Sequence, residues 1–340
     1  MISRIKRINA FITLGKFITD TTNEELIADW IDAAKSKNNW FTRGNVAMSL
    51  RAIATLYLNE EQLTAWAARY PEPASSQKIG VVMAGNIPAV GFHDALSVLI
   101  SGHTLLVKPS SDDEMLIRAL LNALTNIEPD FKKYIHFVER LNASDAYIAT
   151  GSDNTARYFH YYFAKKPNII RKNRTSVAVL TGNESTAELK GLGKDIFQYY
   201  GLGCRNVSKI YVPDGYDFTK LYESVEDMSG DYLNHHKYFN NYEYNKSIFL
   251  VNRVPHFDNG FLLITESKSL VSAISVLHYE KYVSLREVEA LIAEDEDKIQ
   301  CVVGIDEVNI PGILAPGSAQ QPGLSDYADS VDTMAFLSAL

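Results

Sequence analysis

Residues Ile79–Ser110 read IGVVMAGNIPAVGFHDALSVLISGHTLLVKPS, and this stretch decides the fold. Its opening, Ile79 to Gly85, is an apolar run rich in β-branched side chains that stops at a glycine, which is how a buried strand reads. Pro88 to Ile100 carries apolar residues at helical spacing, and Thr104 to Val107 is a second short apolar run. Strand, helix and strand in that order predict a parallel sheet, because parallel neighbours need a crossover and their strands are buried on both faces.

The alternation continues outward. Upstream, Leu26, Ile27, Trp30, Ile31, Val46, Leu50, Ile53 and Leu56 recur at helical spacing, so a helical layer is expected before Pro71, Pro73 and Ser75-Ser76 close it. Downstream, the pattern predicts helices at Asp112–Leu124 and Asp153–Phe163, with strands at Tyr134–Val138 and Ser176–Leu180. A first α/β domain is therefore expected over residues 1–180. After Gly182 come a helix at Thr186–Tyr199, strands at Ser247–Val251, Phe261–Thr265 and Gln300–Gly304, and a helix at Leu285–Ala293. These define an expected second α/β domain, 181–315, with a tail, 316–340, packing back on the core or on a partner subunit. The Tyr- and Asn-rich segment Tyr232–Tyr244 reads as a surface helix or a ligand-facing loop.

Composition excludes several classes. A chain of 340 residues, 46% hydrophobic and 22% charged, is that of an ordinary globular protein of about two domains. Its 33 basic and 41 acidic side chains leave a net charge of −8, which provides no general field for a phosphate backbone, so no nucleic-acid partner is expected. Two cysteines, Cys204 and Cys301, are too few for a disulfide framework and point to a reducing compartment. Asn9, Thr13 and Lys16 interrupt the N-terminal apolar stretch, and no run long enough to span a bilayer occurs; a cytoplasmic protein without an integral membrane segment is expected. The eight histidines are scattered and form no metal-ligand constellation, so no metal is expected. Neither GxGxxG nor a Walker A sequence is present.

Cys204 stands between Gly201-Leu202-Gly203 and Arg205, just before a strand. Glycines let backbone approach a substrate, and a nearby guanidinium with free N–H groups favours the thiolate; a small residue in a tight loop is the competing reading. Cys301, inside IQCVVG, reads as core packing. Lys165, Lys166, Arg171, Lys172 and Arg174 form either a solvated charged loop or a docking surface for phosphates.

Four features in order resemble one superfamily. AGNIPAV, with the lysine of LVKPS following 22 residues after Asn86, resembles the aldehyde dehydrogenase pairing of a WNxP turn with a VxKPS strand end. ATGSDNTARYF resembles its FTGSxxxG turn, and Cys204 follows 53 residues after Gly151, about where that superfamily keeps its nucleophile. GLGCRNVSKIYVP and AQQPGLSDYADSVDT are similar to the LuxC-type acyl-CoA reductase branch, especially its short bacterial members. The resemblance covers roughly residues 75–340.

The resemblance implies an aldehyde-dehydrogenase-like α/β fold, with a Rossmann-like cofactor domain, a second α/β domain carrying Cys204, and an active site between them. It implies that Cys204 is the nucleophile and that Asn86, with the Cys204 backbone N–H, stabilises an oxyanion. Lys108 and Ser110 would hold the adenosine ribose or its 2′-phosphate, Gly151 and Ser152 the pyrophosphate at a helix start, and Pro88 the turn beside the cofactor. The implied reaction is reduction of a fatty acyl-CoA to the aldehyde with NADPH, through a thioester on Cys204, and the implied partner is the acyl-CoA. A homo-oligomer is compatible with the superfamily.

Two departures sharpen this expectation. Where ordinary aldehyde dehydrogenases carry a general-base Glu ahead of the nucleophile, this chain reads RKNRTS, Arg171–Ser176, without a carboxylate. A thioester on Cys204 would then resist hydrolysis. The superfamily's later Glu has only Glu266 as a candidate. An acyl-phosphate reductase and a non-catalytic scaffold of the same fold are the alternative readings.

Overall fold

The structure, a computed structural model, describes residues 2–151 and 153–340. It divides into two compact units, Met1–Asn173 together with Pro322–Leu340, and Arg174–Gln321.

The first unit opens with helices α1 (Arg4–Thr19), α2 (Glu24–Lys37), α3 (Arg43–Ala52) and α4 (Glu60–Ala68). Ser3, Thr42 and Asn59 cap α1, α3 and α4 by accepting backbone N–H groups that the first helical turn leaves unpaired. Phe11 and Leu14 of α1, Val46 of α3 and Trp66 of α4 are buried in one apolar core with Phe92 and Leu96 of the sheet-covering helix. Each such side chain contributes roughly 1.5–3 kcal/mol by leaving water.

The sheet of this unit is built from β1 (Lys78–Val82), α5 (Phe92–Ile100), β2 (Thr104–Lys108), α6 (Glu114–Ile127), β3 (Ile135–Phe137), β4 (Ala146–Thr150), α7 (Asp153–Phe163) and β5 (Asn168–Arg171). All pairs are parallel and the order is β3-β2-β1-β4-β5. From β1 the chain crosses to β2 on one side, and from β4 to β5 on the other. Adjacent β1 and β4 therefore lead in opposite directions, which makes their carboxyl ends the topological switch point where such sheets bind ligands.

The second unit runs β6 (Thr175–Val179), α8 (Thr186–Phe197), β7 (Val207–Pro213), α9 (Thr219–Val225), α10 (Ser229–Leu233), α11 (His236–Val251), β8 (Phe257–Asp258), β9 (Leu263–Glu266), β10 (Val276–Tyr282), α12 (Leu285–Glu294) and β11 (Ile299–Gly304). Its sheet has the order β11-β6-β7-β10-β9-β8, parallel except for the β8–β9 pair. Residues 322–340, including α13 (Thr333–Ser338), return to the first unit. There buried His103 accepts from Gln77 N–H through Nδ1 (3.1 Å) and meets the Leu337 carbonyl through Nε2 (2.8 Å), which assigns the proton to Nε2.

Two expectations are corrected, and one left open between two readings is decided. The break falls after Asn173 rather than at 180, because β6 pairs β7 and β11 and so belongs to the second sheet. Ser247–Val251 is the last turn and more of α11, not a strand: the apolar run SIFLV follows directly on a helix whose Tyr238, Tyr242 and Asn245 are buried on one face. The Tyr- and Asn-rich segment is accordingly helical, divided between α10 and α11.

Candidate active site

At the carboxyl edge of the first sheet, Lys108, Val82, Ala149 and Ile170 form one rung across β2, β1, β4 and β5. The chain beyond this rung carries the candidates. Lys108 ends β2 and is exposed. The turn after β1 is pressed against the turn after β2: a Cβ at Gly85 would fall 2.6 Å from Ser110 Cβ and Oγ, so only glycine permits the approach. Asn86 follows at once and is exposed. Pro88 is buried and its carbonyl accepts Ser49 Oγ at 2.6 Å, so it shapes the turn from below. Gly151 lies just past β4, ahead of α7, where a Cβ would meet Thr155 and Phe159 at 3.0 Å. Ser152 lies outside the described residues. Asn86, Lys108, Ser110 and Gly151 thus share one edge of one sheet.

At the end of β5, Arg171 is buried. Its Nη1 donates to both oxygens of Asp94 (2.9 and 2.7 Å) and its Nη2 to Thr333 Oγ1 (2.8 Å). The five-cation cluster is therefore not one solvated surface. Arg174 donates to the carbonyls of Glu296 and Ile299, and Lys166 to that of Ser144. Lys165 and Lys172 keep exposed side chains.

In the second unit Cys204 sits in the loop between α8 and β7, half-buried. The Cys204 carbonyl accepts Ser176 Oγ at 3.0 Å, and the preceding Gly203 N–H donates to Asn206 Oδ1 at 2.8 Å. Cys301 is half-buried rather than fully packed in the core, its Sγ 3.0 Å from the same Ser176 hydroxyl. Glu266, at the end of β9, is exposed and accepts Tyr279 OH at 3.4 Å.

Several polar residues here were invisible to motif reading. Asp94, Ser176 and Asn206 occupy ordinary positions in their sequence neighbourhoods and gain meaning only from partners 28 or more residues away, or, for Asn206, from a clasp on the preceding helix. Buried Lys209 on β7 reaches half-buried Glu280 on β10 and the Lys268 carbonyl, an ion pair whose members lie 71 residues apart. Among the described residues, no group of three or more His, Cys, Asp or Glu is gathered as a metal ion would require, and no helix is long and apolar enough to cross a membrane.

A parallel sheet ordered 3-2-1-4-5, followed by a second sheet with a lone cysteine loop ahead of its second strand, defines the aldehyde dehydrogenase class of fold. Solved structures agree. An NAD-dependent aldehyde dehydrogenase from Sinorhizobium meliloti superposes with a TM-score of 0.65 at 13% identity, covering 89% of this chain and 70% of that one. An NADP-dependent enzyme from E. coli gives 0.66 at 12%, covering 89% and 73%. Propionaldehyde dehydrogenase from Rhodopseudomonas palustris, solved with bound CoA and an acylated cysteine, gives 0.62 at 10%, covering 89% and 78%. At such identities these likenesses establish the fold. No match is found among curated proteins. The profile of the acyl-CoA reductase (LuxC) family matches residues 33–236, and the chain belongs to that family. Its general reaction is accordingly the reduction of an acyl-CoA to an aldehyde.

Proposed function

We propose that the protein reduces a fatty acyl-CoA to its aldehyde with NADPH, through a thioester on Cys204. The observation that carries the reading is the Cys204 loop, a half-buried cysteine held through the backbone on either side, in a chain of the acyl-CoA reductase family.

The residues at the edge of the first sheet fit a dinucleotide. Exposed Lys108 would meet the adenosine ribose or its 2′-phosphate together with Ser110. The backbone at Gly151, just ahead of an 11-residue helix, would meet the pyrophosphate, a role the resemblance also gives to Ser152. When bound, NADPH supplies a hydride to the acyl carbon.

Cys204 Sγ, as thiolate, forms a bond to the thioester carbon, and the CoA thiolate leaves. The Asn86 side-chain N–H and the Cys204 backbone N–H stabilise the oxyanion that forms then and again after reduction. Collapse of the reduced adduct returns the electron pair to Cys204 Sγ and releases the aldehyde. Arg171–Ser176 offers no carboxylate to activate water, which leaves the thioester available for reduction.

The test is anaerobic incubation with a medium-chain acyl-CoA, intact-protein mass spectrometry, then addition of NADPH and an aldehyde assay. An acyl adduct that disappears as aldehyde is released, and is absent from Cys204→Ala, supports the reading. An adduct formed from an acyl phosphate and from no acyl-CoA overturns it, as does full activity in Cys204→Ala.

A further inference from the structure

The loop that carries Cys204 is built against local preference. Tyr199 (φ 53°), Tyr200 (φ 60°) and Gly201 (φ 76°) are three successive residues in the left-handed region, two of them with bulky side chains. Such backbone persists only where its surroundings over-determine it. Tyr199 and Tyr200 are both buried, and Tyr200 stacks on His235 with ring centroids 4.0 Å apart.

Asn206 closes this loop. It is 3% exposed, and its amide makes four contacts with the backbone on the N-terminal side of Cys204. Oδ1 accepts the Gly203 N–H (2.8 Å), while Nδ2 donates to the carbonyls of Asp195 (3.0 Å), Ile196 (3.2 Å) and Gln198 (2.8 Å). Those three carbonyls are at the end of α8, where the helix leaves acceptors unpaired. Only an amide combines one acceptor with two donor hydrogens in so short a side chain; aspartate cannot donate, and alanine does neither. The end of α8 is itself fixed from elsewhere, since the buried Asp195 carboxylate accepts Gly317 N–H (2.6 Å) and Ala319 N–H (3.1 Å). The far side of the loop is fixed as well: the Asn206 backbone carbonyl accepts Ser176 N–H, and Ser176 Oγ donates to the Cys204 carbonyl.

We infer that Asn206 is the positioning residue for Cys204: by tying Gly203 to the end of α8 it holds the strained turn, and so sets where the thiol and the Cys204 N–H point. This rests on the reading of Cys204 as nucleophile. Orientation of a nucleophile is a large part of its reactivity, so loosening the turn should act on the acylation step far more than on binding.

The experiment compares the full-length protein with Asn206→Ala and Asn206→Asp. Two rates are followed: acylation of Cys204 by a medium-chain acyl-CoA, and alkylation of Cys204 by iodoacetamide between pH 6 and 10. Circular dichroism and Tm report folding. Expected are folded variants whose acylation rate falls about 100-fold for Asn206→Ala while KM for acyl-CoA stays within about threefold, with a displaced pH profile of alkylation. Asn206→Asp, which keeps the acceptor for Gly203 but loses the donors, is expected between wild type and alanine. A folded Asn206→Ala with wild-type acylation and an unmoved alkylation profile overturns the inference. Should Asn206→Ala not fold, Asn206→Asp decides by the same two readouts. If wild type forms no acyl adduct, the reading of Cys204 fails, and the alkylation profile still decides whether Asn206 positions the thiol.

Discussion

Arg171 and Asp94 form a closed, buried ion pair in the first unit, with Arg171 Nη1 at 2.9 and 2.7 Å from the two carboxylate oxygens and the guanidinium side chain only 5% exposed. Thr333 of α13 takes the second terminal nitrogen, so the pair joins β5, α5 and the C-terminal segment. Asp94→Asn leaves the guanidinium buried without its counter-charge. The expected cost is about 3–5 kcal/mol of unfolding free energy. Urea denaturation monitored by circular dichroism checks it, and a midpoint within error of wild type would contradict it.

Arg171 opens the stretch Arg171–Ser176, where the resemblance to ordinary aldehyde dehydrogenases would place a general base. On the proposed reading of Cys204 as the acylated residue, this stretch supplies no carboxylate to activate water for hydrolysis. Acylated enzyme left without cofactor should therefore keep its adduct far longer than it takes to reduce it when NADPH is present. Mass spectrometry of the protein, with assay of the free acid, measures both. Rapid release of the acid in the absence of cofactor would remove this account of the reaction's direction.

Asn86, exposed on the turn pressed against Ser110, is proposed to donate to the oxyanion. Asn86→Ala should lower kcat for aldehyde formation about 10²–10³-fold, the usual effect of losing one such donor, with little change in KM. Steady-state kinetics at saturating NADPH decide it. A rise in KM at constant kcat would assign Asn86 to binding instead.

Asp113, at the entrance to α6, is 3% exposed, and neither carboxylate oxygen accepts a well-formed hydrogen bond. Burial pushes its carboxyl up to about 8, Asp112 adding to the shift while the Ala89 N–H opposes it. The folded protein therefore holds this proton to about pH 8, and the unfolded chain loses it near pH 4. Between those values the native state binds more protons, so this group makes stability fall as pH rises. Asp113→Asn should raise Tm most at pH 8.5 and progressively less toward pH 4.5. Thermal scans across that range test it, and a Tm difference that does not vary with pH would rule out a neutral Asp113.

Much of this protein is legible in its sequence because local pattern encodes local structure. The β-branched run before Gly85, the helical spacing that follows it and the run ending at Lys108 each form the element they predict, since burial on both faces needs nothing more than continuous apolar residues. The order of Asn86, Lys108, Gly151 and Cys204 carried the superfamily resemblance, and GLGCRNVSKIYVP with AQQPGLSDYADSVDT carried that to the family. Tertiary structure alone decided the rest. SIFLV at 247–251 suits a strand or a helix equally, and the choice came from α11, whose Tyr238 and Tyr242 were already buried on one face. The domain break depends on β6 pairing Thr175 with Ile299, a partner no local pattern reveals. Arg171 reads as one more cation until Asp94, 77 residues earlier, neutralises it in the interior. The left-handed turn at Tyr199 and Tyr200 runs against the preference of its own residues, and holds because Asn206 and the end of α8 close around it. Pairings between remote segments carry no local signature: they become favourable only after folding has brought those segments out of water and against one another.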